Sequence, residues 1–478
     1  QVGDAVVLDT RVDYHVYSSV PFDGGSVDIA DENAWLIFDN IRPSKVVSSY
    51  LSQVTIGGAP AVSGVNVRVE IYLDGAAVIP LNGDAPFKGY TGTNQSGDEF
   101  EVALYEGSGN DLGNMRNRMR SFVLKRGYMA TVSTGADGTG YSRVYVADHA
   151  DKVVNDLPDE TDQRISCVYV KRWHYTSKKG WNAGDAADWN ALTCTWRYNW
   201  NSNEFTTYDS EYIPIKQHIW WPGWDAINAR YNSTAVLSYN EPNHSEQHDD
   251  DCGTTISAAT AAANTPQFFA FGGRIGAPAE TTASWTYSYI DAVDKAEYRC
   301  DFVPFHCYWD PSGYADSTAW KNSLKAIQEK TGRPLWITEW AVGASWTSKT
   351  WSSYEEYRDA IFPILAMLEN SPWVERYAYY NYDTGGNSGT GWRRAIINDE
   401  NWLTPAALLS TPASMTISLP GSTTLSCRWL CRVSPCWVRM VGGDTPHPFA
   451  RATPSILPTI SCSMMPGRML SLATECIR

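Results

Sequence analysis

The 478 residues carry 53 Asp and Glu against 38 Lys and Arg, with no basic block, which argues against nucleic acid or an anionic membrane as a partner. No apolar run approaches the roughly 18 residues of a membrane span, so no membrane insertion is expected, and the length allows about two or three domains with a large core. Trp (21) and Tyr (27) outnumber Phe (13), a balance that suits faces stacking on something partly polar such as a sugar, although the same rings also fill cores. A chain beginning at Gln1 reads as a mature product whose export signal has been removed, so a secreted, cell-surface or periplasmic location is expected.

Residues 1–155 read as all-β. Apolar residues alternate with mostly polar ones from Val65 to Leu73, and Asp74-Gly75 then turns the chain into Ala76 to Ile79, the signature of a half-buried hairpin. Further strands are expected at Ala34 to Phe38, Lys45 to Ile56, Phe100 to Tyr105, Ser121 to Leu124, Tyr128 to Ser133 and Ser142 to Ala147. Short strands at this spacing predict a jelly-roll-like β-sandwich, either a carbohydrate-binding module or a support.

After Asp159 short apolar runs alternate with helical segments, and residues 160–407 read as an α/β unit. Strands are expected at Ile165 to Val170, Thr193 to Tyr198, Tyr212 to Ile219, Ala235 to Tyr239, Phe268 to Phe271, Phe302 to Tyr308, Pro334 to Thr338 and Arg376 to Tyr380. Helices are expected at Thr255 to Asn264, Trp285 to Glu297, Ser317 to Lys330 and Ser353 to Asn370, the last with Ser353 and Glu356 in capping-box register. Eight such alternations predict a (β/α)8 TIM barrel, whose reactive groups lie at the C-terminal strand ends. Cys167, Cys194, Cys252, Cys300 and Cys307 lack metal-site spacing and read as buried free thiols.

Residues 408–478 depart from the rest. They use Arg without Lys, hold a single Asp (Asp444) and a single Glu (Glu475), and gather Cys427, Cys431, Cys436, Cys462 and Cys476 without an apolar period. A small disulfide-bonded appendage is one reading. Out-of-frame translation of a GC-rich gene, or an unrelated fusion, fits the composition better, and the segment is then dispensable.

Two of the expected strands end in glutamates. Ala235 to Tyr239 runs into Asn240-Glu241-Pro242, and Pro334 to Thr338 runs into Glu339-Trp340. Each motif alone is weak; at the fourth and seventh positions of an eightfold alternation they form a candidate carboxyl pair of the kind glycoside hydrolysis needs. Asn240 is placed to bond a sugar 2-hydroxyl, Pro242 to turn the chain so that Glu241 projects, and Thr338 to orient Glu339, which Trp336 and Trp340 flank. His306 and Tyr308, at the end of the sixth strand, are expected to donate to Glu339 and keep it ionised while Glu241 carries the proton. A histidine on an apolar strand is otherwise a satisfied core residue.

The stretch from Lys171 to Pro405 resembles glycoside hydrolase family 128. The matching pieces are Thr195-Trp196-Arg197-Tyr198-Asn199-Trp200, Glu211-Tyr212-Ile213-Pro214-Ile215, Leu237 to Gln247, Asp301 to Tyr308, Pro334 to Trp340 and Val374 to Tyr379. The resemblance implies endo-acting, retaining hydrolysis of β-1,3-glucan, with Glu241 as acid/base and Glu339 as nucleophile. Asn243 stands where that family commonly has Asp, and Trp-rich inserts surround Trp220, Trp221 and Trp224; these departures leave the glycan open. A galactan of the agar or porphyran type is the alternative substrate, and a non-catalytic glycan-binding protein the alternative class.

Trp200, Trp220, Trp221, Trp224, Trp309, Trp346 and Tyr382 lie on loops beyond strand ends and are candidates for stacking on a polysaccharide, some of them being core instead. His248-Asp249-Asp250-Asp251 reads as a solvated acidic loop because it lacks the ligand spacing of calcium loops. No metal, no cofactor and a monomer are expected.

Overall fold

The computed structural model describes residues 1–83, 85–182, 191–245, 255–309, 316–343, 351 and 353–380, and the backbone of 413–418, 424–429, 439–440 and 472–473. Gln1–Thr411 form one compact unit and Pro412–Arg478 a second. The first unit is a mixed α/β structure with several sheets. In the second, Ala413–Ser418 pairs antiparallel with Thr424–Trp429, and Arg439–Met440 with Leu472–Ala473.

The hairpin forms as the alternation predicts: Val67–Leu73 pairs antiparallel with Gly75–Pro80. It is not half-buried. One face packs Val67, Val69, Ala76 and Val78 into a core with Leu36 and Phe38, while the other holds Ala77 and Ile79 against Trp35 and Ile37. Arg68 and Glu70 lie on that covered face, 3% and 6% exposed, where Glu70 sits among Arg68, Arg172 and His174. Cations around a buried carboxylate let charged residues sit where apolar ones were expected.

Two expectations for this region are corrected. Residues 43–49 form a helix, Pro43–Ser49, before the strand Val54–Ile56; Pro43 takes the first turn, where its missing N–H costs nothing. The ladders are also not purely antiparallel, as a jelly roll requires. Ala5–Leu8 pairs parallel with Ser26–Ile29, and Asp13–Val16 parallel with Trp35–Phe38.

Between residues 179 and 380 the described residues hold eight strands, each parallel to its neighbours. A six-stranded sheet has the order Glu211–Tyr212, Trp196–Tyr198, Lys179–Asn182, Val374–Tyr379, Leu335–Trp340, Val303–Cys307. Ala235–Val236 and Arg274–Ile275 form a parallel pair. Isolated parallel bridges link that pair to the sheet on both sides, Ile215↔Leu237 on one and Gly276↔Phe302 with Glu280↔Phe305 on the other. Successive side chains face opposite ways: Trp336 packs inward with Trp196, Phe302 and Leu237, whereas Leu335 and Ile337 join the core built with the helices. Burial on both faces is why these strands read as apolar runs.

The helices fall close to their expected positions: Ala258–Asn264, Ala283–Lys295, Ser317–Thr331 and Tyr354–Asn370. Three have a side-chain N-cap, in which Ser257, Asp316 and Ser353 accept backbone N–H groups of the first turn. Two strands were misplaced in the sequence reading. The run at 165–170 becomes Cys167–Arg172, which pairs antiparallel with Tyr128–Ser133, and the parallel set begins instead at Lys179–Asn182. The run at Phe268 to Phe271 lies in a 3-10 helix, Thr265–Phe271, opened by Pro266 and closed by Gly272 at φ 70°. Cys167, Cys194, Cys300 and Cys307 are buried free thiols, as expected; Cys252 and the five tail cysteines lie outside the described side chains.

Candidate active site

Glu241 follows the fourth parallel strand in an unusual conformation, with φ +40° and 9% exposure. A left-handed backbone is uncommon for a residue with a Cβ and costs on the order of 1–3 kcal/mol, so neighbours must hold it. The Glu241 N–H donates to the Ala279 carbonyl at 2.8 Å, and the Glu241 carbonyl accepts from the His244 N–H at 2.9 Å.

Glu339 lies inside the strand Leu335–Trp340, not just beyond its end. The register slips there: Phe305 faces Ile337, but His306 faces Glu339, leaving Thr338 as the extra residue of a bulge. A bulge re-aims the side chains that follow it, and here it brings His306 and Glu339 together. His306 Nδ1 lies 2.7 Å from Glu241 Oε1 and 3.6 Å from Glu339 Oε2, and the three groups offer atoms all within 4.8 Å of one another.

One of the two expected hydrogen bonds to Glu339 forms and the other does not. His306 bonds to Glu241, not to Glu339. Glu339 is held by three donors: Tyr308 Oη on Oε2, as expected, and two that were not, Trp200 Nε1 at 2.8 Å and Tyr198 Oη at 3.4 Å on Oε1. Thr338 acts through its backbone carbonyl, which accepts from Asn182 Nδ2 at 3.1 Å and Tyr198 Oη at 3.0 Å. Its hydroxyl is buried without a partner.

The titration directions fit this wiring. Burial by itself would lower the His306 pKa, but the charge of Glu339 and the hydrogen bond and charge of Glu241 outweigh it and hold the imidazole above its ordinary value. Burial, then the Glu339 charge, push the Tyr198 and Tyr308 phenols well up, so both remain donors.

Asn240 is 4% exposed, its N–H bonded to the Gln217 carbonyl and its side-chain oxygen unpartnered. The aromatic candidates divide. Trp200 reaches Glu339, and Tyr380 packs edge-on against both Trp200 and Tyr308. Trp220 is 56% exposed and stacks on His218; Trp221 adjoins that histidine and precedes a cis proline. Trp224 and Trp309 are partly buried and pack against the core, Trp224 on Phe268 and Trp309 on Trp320. Trp346, Tyr382 and the acidic loop His248 to Asp251 lie outside the described residues. Trp336 and Trp340, expected to flank Glu339, are core residues.

Four residues escaped the sequence reading: Asn182, Tyr198, Tyr380 and Glu280, the last fully buried beyond the fifth strand. Glu280 follows Ile275-Gly276-Ala277-Pro278-Ala279, an apolar run ending in an acid, but Gly276 and Pro278 made it look like a turn. Among the described residues Glu241, His306 and Glu339 are the one His/Cys/Asp/Glu group close enough to offer three ligands to a cation. The 2.7 Å contact within it is a hydrogen bond, and a metal would require that proton to leave.

Residues 174–408, just short of half of the chain, match the family model described as Glycosyl hydrolase catalytic core, and this segment contains both glutamates. No curated relative matches. Among solved structures, a subgroup I family 128 endo-β-1,3-glucanase from Amycolatopsis mediterranei, in complex with laminaritriose, is 24% identical with a TM-score of 0.42, covering 49% of this chain and 97% of its own. A subgroup II endo-β-1,3-glucanase from Sorangium cellulosum is 22% identical with a TM-score of 0.38, covering 48% and 95%. A subgroup VI exo-β-1,3-glucanase from Aureobasidium namibiae is 15% identical with a TM-score of 0.37, covering 49% and 95%. The chain thus resembles glycosyl hydrolase catalytic cores, with glycoside hydrolase family 128 among its structural likenesses.

Proposed function

We propose that this protein is a retaining, endo-acting β-glycoside hydrolase that cleaves β-1,3-glucan, with Glu241 as acid/base and Glu339 as nucleophile. The observation that carries the reading is the approach of the two carboxyls, whose offered oxygens lie within 4.8 Å of each other and of His306. A retaining pair stands about 5–5.5 Å apart and an inverting pair about 6.5–9.5 Å, because the latter must admit a water.

The two environments differ as the roles require. Glu339 accepts from three uncharged donors, which stabilises the carboxylate. Glu241 shares a proton with His306 across 2.7 Å, so a proton is stored beside the leaving-group oxygen. In the first step Glu339 attacks the anomeric carbon, the glycosidic C–O bond breaks, and Glu241 protonates the departing oxygen. In the second, Glu241 takes a proton from water, whose oxygen displaces Glu339 and restores the resting pair.

The bridged succession of eight parallel strands supports a closed (β/α)8 barrel carrying the pair at the ends of strands four and seven. Exposed Trp220 and its neighbour Trp221 beside the Asn240 strand supply stacking surface for a chain that extends past the cleavage point. The choice of β-1,3-glucan rests on the resemblance to glycoside hydrolase family 128 that the motifs around both glutamates carry. A polysaccharide substrate too large to cross a membrane supports a secreted or cell-surface location.

The test is product analysis on laminarin, curdlan, agarose and porphyran, with the anomer released followed by NMR. Internal cleavage of the first two with retention is expected, and Glu339→Ala should lose nearly all turnover with its unfolding midpoint unchanged. Near wild-type turnover in that variant overturns the reading, and cleavage of agarose or porphyran alone replaces the glucan by a galactan.

A further inference from the structure

The residues that follow the fifth strand touch both halves of the site. Ala279 accepts the Glu241 N–H at 2.8 Å. The next residue, Glu280, accepts the His306 N–H through its backbone carbonyl at 2.9 Å, and its carboxyl Oε1 accepts the Asn243 N–H at 2.6 Å. Thr281 then bonds His244 Nε2 through its hydroxyl at 2.8 Å. Three consecutive residues therefore hold the turn 241–244 and the strand bearing His306 in one arrangement.

Glu280 is an expensive residue for this place. It is 0% exposed, no Lys or Arg pairs with its carboxyl among the described residues, and its Oε2 has no hydrogen-bond partner. A buried carboxyl with an unused oxygen costs stability that an apolar side chain would not, so a mere packing role does not account for it. Burial, opposed by the Asn243 N–H and reinforced by the Glu241 charge, raises its pKa. Within the turn it clamps, Glu241 has the left-handed backbone that needs outside support.

We propose that Glu280 is a positioning residue for the acid/base: by holding the Asn243 N–H it fixes the turn that aims the Glu241 carboxyl at His306. The inference rests on the glycosidase reading, and its test separates the two. In the full chain, Glu280→Ala loses the acceptor, whereas Glu280→Gln keeps a side-chain carbonyl for the Asn243 N–H. A misplacement of about 1 Å can cost about 100-fold in rate, so Glu280→Ala should lower kcat on laminarin by about 10- to 100-fold with little change in KM.

The loss should be selective. With a dinitrophenyl β-laminaribioside the leaving group departs without a proton, so the first step needs no acid. The second step then becomes limiting, and azide, which needs no base, should restore turnover in Glu280→Ala by forming the glycosyl azide. Glu280→Gln should regain most of the laminarin rate without azide. If a folded Glu280→Ala matches wild type on laminarin, or falls equally on both substrates with no azide response, the positioning role is wrong and the glycosidase reading stands. Should Glu280→Ala fail to fold, a Glu280→Gln that is as slow as Glu241→Ala overturns the clamp. Wild type inactive on every substrate overturns both.

Discussion

At the scale of single residues, the site is a division of hydrogen bonds between two carboxyls. Tyr198, Trp200 and Tyr308 all serve Glu339, and His306 serves Glu241. Burial alone would lower the His306 pKa, but Glu339 and Glu241 raise it above the ordinary 6.5. A raised base keeps its proton at pH values where a free imidazole has lost it, so the acid form of the site extends above pH 6.5 before it is lost on the alkaline side. The profile of kcat/KM should therefore have its alkaline limb above pH 6.5. An alkaline limb below that value would contradict the pairing.

At the scale of elements, the placement of Glu241 and Glu339 depends on strands packed without slack. Gly180, on the first parallel strand, faces Trp196 in register, and a Cβ there would overlap the Trp196 indole. Trp196 is 0% exposed, bonds the Lys178 carbonyl at 2.9 Å, and stacks towards Tyr198, a donor to Glu339. Gly180→Ala should cost about 1–3 kcal/mol, the usual range for overpacking, read as a lower urea midpoint at unchanged m-value. Combined with Trp196→Leu, which removes the indole, the glycine substitution should cost much less. Additive losses would mean that the two do not clash.

That strand also shows what the sequence concealed. Lys179-Gly180-Trp181-Asn182 has no apolar run because its alternate positions are a glycine under an indole and an asparagine bonded to the Thr338 carbonyl. The strands carrying the glutamates were legible for the opposite reason: buried on both faces, they read as apolar stretches with an acid at the end. One helix was legible through its cap, Ser353 with Glu356, whereas the Ser257 and Asp316 caps emerged only in the structure. Tertiary facts were not: which carboxyl His306 serves depends on a bulge at Thr338, and no local pattern encodes a bulge between two strands.

At the scale of the whole first unit, the N-terminal sheets and the parallel strands share a buried lysine. Lys171 belongs to Cys167–Arg172, which pairs with Tyr128–Ser133, yet its Nζ donates to the Tyr231 and Ser233 carbonyls at 3.0 and 3.1 Å. It is 1% exposed, and burial, partly offset by the Glu211 charge, pulls its pKa down to about 7. Unfolded, a lysine holds its proton to about pH 10.4. Between these values the unfolded chain binds the extra proton, so stability rises with pH, by up to about 1.4 kcal/mol per unit from this group. His174 and His306, both raised, tilt the other way as they lose protons above the ordinary 6.5, so the informative quantity is wild type minus Lys171→Met. That difference in urea unfolding free energy should grow in favour of wild type from pH 7 to 8.5, below the range where unfolded thiols ionise fully. The transition should also remain single over this range if the sheets and the parallel strands unfold together. A flat difference would mean that Lys171 stays charged against its two carbonyls, and two transitions would mean that the sheets on either side of it are separate folding units.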